Sequence, residues 1–430
     1  MVSFLSAVSL LGVSSENYVY GILYAPALAL EATTGLSKTA SVVAIGLVCT
    51  FYSSLGGIKA VLITDVFQSL LMLVAVVTVI ITAAIEVGGI DEIWRIAVAG
   101  DRIEFDSISI DPTVRHTWWS LLIGGFFTYL SLYGVNQVQV QRLDLKAAQK
   151  SLWWSWPIAM VMSLTTCYSG LAIYSKYRDC DPMTSKRISS SDQLMPLYVM
   201  DTLSKFPGIP GLFIAGIFSA GLSTVSAALN SLSAVILEDY IKNTSLQSPQ
   251  GNIEFPIDKF SYVVAFLAQY LGGVLQAALT IFGVVGGPML GLFTLGMFTE
   301  SATQRGVVTG LLMSLIFCLW IGFGQPKPAA PTLPVSIAGC NTTYSDRTGD
   351  SSDFYLYRIS YMWYCPLGFV TSVICGYIAS HILRIFFKEE SMEINPDLLV
   401  PFLASRLRQK QENLRGLNHS EFELKRELKE

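Results

Sequence analysis

Charge is what this sequence has least of. Only 14% of its 430 residues are Asp, Glu, Lys or Arg, against about 25% in a soluble globular protein. That scarcity argues against a soluble enzyme and against a disordered chain. The net charge is −4 with a pI near 5.5, and no Lys/Arg-rich run precedes the tail. A nucleic-acid partner therefore has no electrostatic footprint to use. Histidine occurs three times, at 116, 381 and 419, and no Ser/His/Asp constellation stands out. The chain reads as a non-enzyme. A phosphate-cradling G-x-x-x-x-G-K-[ST] is missing, which removes ATP-driven pumping. Seven cysteines are present without a C-x-x-C pair, so a zinc or redox site is a poor reading. Most lie in apolar runs, where a thiol acts as a small apolar group. Cys180 and Cys340 fall in polar loops. No cofactor is expected.

Apolar length is what the chain has in excess. The composition is 52% hydrophobic and the mean hydropathy is +0.51. A membrane helix needs about 20 apolar residues to cross ~30 Å of hydrocarbon. Uncharged runs of that size cover 39–58, 66–85, 117–141, 151–175, 211–237, 260–299, 306–326 and 359–383. The run 260–299 is too long for one span, and Gly272-Gly273 divides it at an extracellular turn. Gly56-Gly57 and Lys59 mark another turn, between 39–58 and 66–85. Residues 1–15 and 17–30 are uncharged but interrupted by Glu16 and Glu31. The expectation is an all-α polytopic membrane protein of about nine to eleven segments, multi-pass in the lipid bilayer. A β-barrel would alternate polar and apolar residues, and these runs do not. Met1 is not followed by a basic stretch, so no cleavable signal peptide is expected.

Short loops set the orientation. Residues 142–150 carry Arg142, Lys146 and Lys150 against Asp144, which places them in the cytoplasm. Counting spans puts 327–358 outside, and that loop contains the glycosylation sequon Asn341-Thr342-Thr343. The same count puts 86–116 outside and the tail from Lys388 inside. Trp118, Trp119, Trp153, Trp154 and Trp156 sit at span ends as interfacial anchors.

Polar side chains in hydrocarbon are costly and mark candidate sites. Asp65 lies in ITDVFQ (63–68). It is either an acid favoured near a helix N-terminus or a carboxylate lining a cation path near the cytoplasmic face. SAGLSTVS (219–226) is rich in small residues that let membrane helices approach. Its adjacent Ser223 and Thr224 hydroxyls are also suitable oxygen ligands for Na⁺. MVSFLSAVSLLG (1–12) has the look of an interrupted helix, a device that builds transporter sites at the midplane. TYLSLYGVNQVQVQR (128–142) is too polar to face lipid. It implies a water-lined path, unwinding near Gly134, or a helix end at the interface.

At these residues a resemblance emerges. SSLGGIKAVLITDVFQ (53–68), YGVNQVQVQR (133–142), CDPMTSKRISSSDQLMP (180–196), FPGIPGLFIAGIFSAGLSTVSAALNSLSAVILED (206–239) and GVVGGPMLGLF (283–293) resemble the eukaryotic sodium/solute symporter family. The branch they resemble carries the sodium-coupled monocarboxylate, multivitamin and iodide transporters, and the likeness covers most of 1–384. It implies a LeuT-type inverted-repeat helical bundle with broken first and sixth core helices. It implies sodium-coupled symport of a small organic anion, monocarboxylate or vitamin-like, across the plasma membrane by alternating access. Na⁺ would be the coupling ion, the partners the anion and the bilayer. Carried over by motif, Ser223 and Thr224 give sodium hydroxyl ligands beside the Ala220 carbonyl, and carbonyls near Val2 and Leu5 join them. Asp65 matches an acid on the sodium exit route. Ser3 and Ser6 match hydroxyls implicated in a sodium site in some members. Phe4, Ser9, Tyr129 and Tyr133 would line the substrate pocket.

The resemblance departs from the family pattern near the start. Residues 1–21 resemble the middle and end of the first broken helix, and 22–31 the end of the third core helix. A second helix and most of a third would separate them in the family. Phe255–Leu271 is also shorter than the family's ninth core helix. The expected organisation is a symporter membrane domain over 1–384, irregular and truncated over 1–31, and a cytoplasmic charged tail over 385–430. The alternative is a truncated, non-transporting isoform or regulatory membrane protein of the same family.

Overall fold

The computed structural model describes residues 37–103, 107–114, 116–135, 145–188, 193–217, 219, 274–324, 339, 355–387, 396 and 399–412. Most side chains of 38–62, 145–148 and 274–279 lie outside this description. Helices account for nearly all regular structure among these residues. They are α1 (Lys38–Val87), α2 (Ile90–Ala99), α3 (Gly125–Gly134), α4 (Leu145–Tyr177), α5 (Leu194–Leu203), α6 (Val274–Phe298), α7 (Gln304–Phe323) and α8 (Tyr364–Phe387). Residues 209–217 and 401–412 are also helical.

Five stretches are long and apolar enough to cross a membrane: Ile63–Val87, Gln149–Tyr177, Thr280–Phe298, Gln304–Phe323 and Tyr361–Phe386. They agree with the apolar runs at 66–85, 151–175, 306–326 and 359–383 and with the second half of 260–299. The expected turn at Gly56-Gly57 is corrected. α1 is one helix of 50 residues, about 75 Å at 1.5 Å per residue. Two glycines cost a helix about 1 kcal/mol each, but they keep their N–H donors, so the ladder passes through them where proline would break it. Ser37 caps the start by accepting from the Ala40 amide at 3.4 Å. At the end Gly88 adopts φ 102° and donates to Ala84 O at 3.0 Å. That left-handed cap suits glycine, which has no Cβ to clash.

The chain divides into two compact units. Unit 1 comprises Met1–Ile108, Gln137–Ile281 and Pro328–Asp353. Its core begins with Met72, Val76, Val79 and Ala83 of α1, all at most 1% exposed, repeating every three or four residues on one face. Ile93 of α2, Met162 and Ile173 of α4, Tyr198 of α5, and Phe213 and Ile217 of 209–217 complete it.

Unit 2 comprises Ser109–Asn136, Phe282–Lys327 and Phe354–Glu430. Its helices meet through small residues. A Cβ built on Gly310 of α7 would clash with the Gly376 backbone of α8, and one on Gly291 of α6 would lie 2.6 Å from the Ser372 Cβ. Ser314 Oγ donates to Gly368 O at 2.7 Å and Ser372 Oγ to Pro288 O at 3.1 Å. These bonds satisfy hydroxyls that lipid cannot serve. Residues 120–124 form a π-turn that leads into α3.

Candidate functional site

Asp65 sits on α1, two residues inside the Ile63–Val87 span, and is half-buried. One turn on, Gln68 is 8% exposed. Positions i and i+3 share a helix face, so both side chains rise on the same side of α1. The buried Gln68 Oε1 accepts no hydrogen bond. An orphaned amide oxygen in a dry interior is costly, and such atoms are normally satisfied by a protein group, a water or an ion. A neutral oxygen one turn from a carboxylate is a donor set that suits a hard monovalent cation. Sequence reading had quoted Gln68 only as part of a motif; what distinguishes it is its burial, which the residue string does not carry.

The helical stretch 209–217 runs toward Ala220, Ser223 and Thr224. It packs tightly on α1: a Cβ on Gly216 would lie 3.1 Å from the Ala75 Cβ, and Phe213 and Ile217 are buried in the unit 1 core. Ser219, the last described residue here, is 7% exposed. The run-in to the expected sodium ligands and the helix bearing Asp65 thus belong to one packed body. Ala220, Ser223 and Thr224 themselves lie outside the described residues. So do Val2, Ser3, Phe4, Leu5, Ser6, Ser9 and Asn341.

In unit 2, Tyr129 and Tyr133 stack on α3 with ring centroids 6.1 Å apart and planes 26° apart. They are the expected substrate-pocket residues that the structure brings together. Between them Ser131 is buried at 6%, held where the Gly286 backbone leaves no room for a Cβ. α3 ends at Gly134, and the Val135 amide donates to Ser131 O at 3.3 Å. The helix end read from the polar stretch 128–142 falls there.

A polar network closes one end of unit 1. Lys176 Nζ reaches Glu86 Oε1 at 3.2 Å and Thr202 Oγ1 at 2.5 Å, and lies 5.3 Å from the Tyr198 ring centroid. Burial pushes the Tyr198 phenol up to about 12. Arg187 donates to both Asp201 oxygens at 3.1 and 3.0 Å, and Tyr177 Oη donates to Asp201 at 2.8 Å. These contacts strap the ends of α1, α4 and α5 together. Beside them Cys180 is disulfide-bonded, whereas Cys167, Cys318, Cys365 and Cys375 are free. The Gly339 amide donates to Asp179 O at 2.9 Å. A cleft of about 490 Å³ lies nearby, lined by Glu92, Arg95, Tyr174, Arg178 and Asp179. Its charges are already paired, Arg95 with Glu92 and Arg178 with Asp179. It is a poor ligand site beside the orphaned oxygen of Gln68.

Comparison with known proteins gives these features a frame. The model of the sodium:solute symporter family matches residues 1–314. A Drosophila melanogaster protein assigned as a sodium-dependent multivitamin transporter is 48% identical over 92% of this chain and 71% of its own length. Sodium-coupled monocarboxylate transporter 1 of Homo sapiens is 40% identical over 84% of the chain and 65% of its own length. The chain thus spans roughly two thirds of such relatives. A solved structure of a Na⁺-coupled sialic acid symporter, in a substrate-bound outward-open state, aligns with a TM-score of 0.61 and 24% identity. It covers 88% of this chain and 74% of its own. That likeness carries the fold, a LeuT-type all-α membrane bundle. Together, the family match and the relatives' identities make this chain a member of the sodium:solute symporter family.

Proposed function

We propose that the chain is a Na⁺-coupled symporter of a small organic anion, monocarboxylate or vitamin-like, working in the plasma membrane by alternating access. The observation that carries this reading is the buried, unpaired Gln68 Oε1 one turn from Asp65. In the proposed cycle Na⁺ binds between Ser223, Thr224, the Ala220 carbonyl and carbonyls near Val2 and Leu5. Ser3 and Ser6 offer further hydroxyls, and Gln68 and Asp65 lie on the ion's path toward the cytoplasm. Hard cations favour such oxygen sets. The anion sits against Phe4, Ser9 and the stacked Tyr129 and Tyr133. One Na⁺ entering down 100 mV gains about 2.3 kcal/mol, and a tenfold gradient adds about 1.4 kcal/mol. Coupling requires that bound Na⁺ favour the outward-facing state over the inward-facing one.

Orientation follows the same reading. The disulfide at Cys180 supports an outward-facing loop, because disulfides persist in oxidising compartments. Asn341 is then a glycan acceptor outside, and residues 142–150 and the C-terminal tail lie in the cytoplasm.

Uptake into proteoliposomes tests the proposal. Monocarboxylate or biotin-like anions should accumulate only with an inward Na⁺ gradient. Gln68→Leu, Ser223→Ala or Thr224→Ala should each raise the half-saturating Na⁺ concentration roughly tenfold. Unchanged sodium dependence in all three would remove the ligand assignment. A lack of sodium-dependent uptake by the parent chain would instead favour a non-transporting member of the family.

A further inference from the structure

The C-terminal helix 401–412 begins where α6 ends. The Val400 amide donates to Met297 O at 3.2 Å, and Met297 is the penultimate residue of the Thr280–Phe298 span. The helix therefore starts at the boundary of the hydrocarbon rather than out in solution. One face is closed: Ala404 and Leu407 are buried and cluster with Leu399 and Leu403. The opposite face holds Phe402, Arg406 and Lys410, spaced four residues apart and all exposed. Phe402 is 76% exposed. The acid of this helix, Glu412, falls on a different side, more than a quarter turn from Lys410 at about 100° per residue.

An aromatic ring followed along one stripe by an arginine and a lysine has two parts. The ring suits the headgroup–acyl boundary, and the cations suit phosphate and carboxylate headgroups. We propose that this stripe docks on anionic phospholipid headgroups of the adjacent leaflet, with Arg406 and Lys410 gripping the headgroups and Phe402 inserted beside them. The occupant is argued from charge and position together, because the stripe is basic and α6 already fixes the helix at the bilayer edge. Assigning it to the inner leaflet rests on the cytoplasmic tail of the proposed symporter topology.

The full chain in nanodiscs tests this, with hydrogen–deuterium exchange read over 401–412. Exchange should be about tenfold slower in phosphatidylcholine mixed with phosphatidylserine than in phosphatidylcholine alone, given roughly fivefold per basic residue at an anionic surface. High salt should erase the difference. The double variant Arg406→Gln, Lys410→Gln should lose it, and Arg406→Lys should keep it. Equal exchange in the two lipids overturns the proposal. So does a difference that survives the double variant, which would mean that the helix is held by protein contacts. Both leaflets of the nanodisc carry the same lipid, so this comparison is independent of sidedness. Antibody access to a tag after Glu430 reads sidedness separately. Staining only of permeabilised cells is expected, and staining of intact cells overturns the inner-leaflet assignment and the orientation beneath it.

Discussion

Between α1 and α4 in unit 1 the space is filled by Met72, Val76, Val79 and Met162. Between α7 and α8 in unit 2 it is closed by Gly306, Gly310, Gly376 and Ser380, whose backbones nearly touch. Lipid tails are as apolar as leucine, so neither pair is driven together by hydrophobic burial. Unit 1 gains dispersion from interlocking side chains. Unit 2 gains close backbone approach and hydroxyl-to-carbonyl bonds such as Ser314 to Gly368. The first device tolerates a change of side-chain shape if volume is kept. The second tolerates almost no added atom.

That contrast can be broken at chosen positions. Gly310→Val should do the most damage, because its added carbons enter the Gly376 backbone, which has no rotamer to yield. We expect a loss of about 3 kcal/mol or more, seen as a collapse of monodisperse protein in thermal size-exclusion assays. Gly216→Ala in unit 1 meets the Ala75 Cβ at 3.1 Å and should be far milder in the same assay. Ile217→Ala comes next. It empties a fully buried site in unit 1 and should cost about 2–4 kcal/mol, lowering the midpoint while leaving the protein monodisperse. Lys176→Met should cost about 1 kcal/mol, since Glu86 keeps partial access to water; Lys176→Arg should recover most of it.

The smallest effect compares two carboxylates. The hydrogen bond from Arg95 holds Glu92 of unit 1 below the usual carboxylate range. The Thr113 amide does the same for Asp111 of unit 2. Both groups ionise more readily when folded, so their contributions are full above the unfolded value near 4. They fade as pH falls through the lower folded values. Salt should weaken the Glu92 contribution and spare the Asp111 one, which rests on a backbone donor. Melting curves of Glu92→Gln and Asp111→Asn against pH and salt would separate them.

Spans were legible where hydropathy alone decides. α4, α7 and α8 fall on apolar runs, and α6 starts directly after Gly272-Gly273 as that dipeptide suggested. The continuity of α1 was not legible, because a glycine pair weakens a helix without forbidding it. Nor was α2, a helix of ten residues inside a stretch read as a loop for its acids. Its buried Ile93 and Ala97, four apart, are the signal that could have found it. Asp65, Tyr129 and Tyr133 were readable as polar groups at membrane depth. Gln68 was not, because an unpaired oxygen is a property of packing. The disulfide at Cys180 was equally hidden, since its polar loop says nothing of a second sulfur within reach.

The π-turn at Ser120–Gly124 holds one residue more than an α-turn would. Removing a single residue there would restore regular winding and rotate everything downstream by about 100°. Tyr129 and Tyr133 would keep their stack, four residues apart, yet present it to a different wall. Selectivity in such a chain can therefore be retuned by phase: one codon lost at the mouth of a helix, with no change to any side chain that meets the cargo.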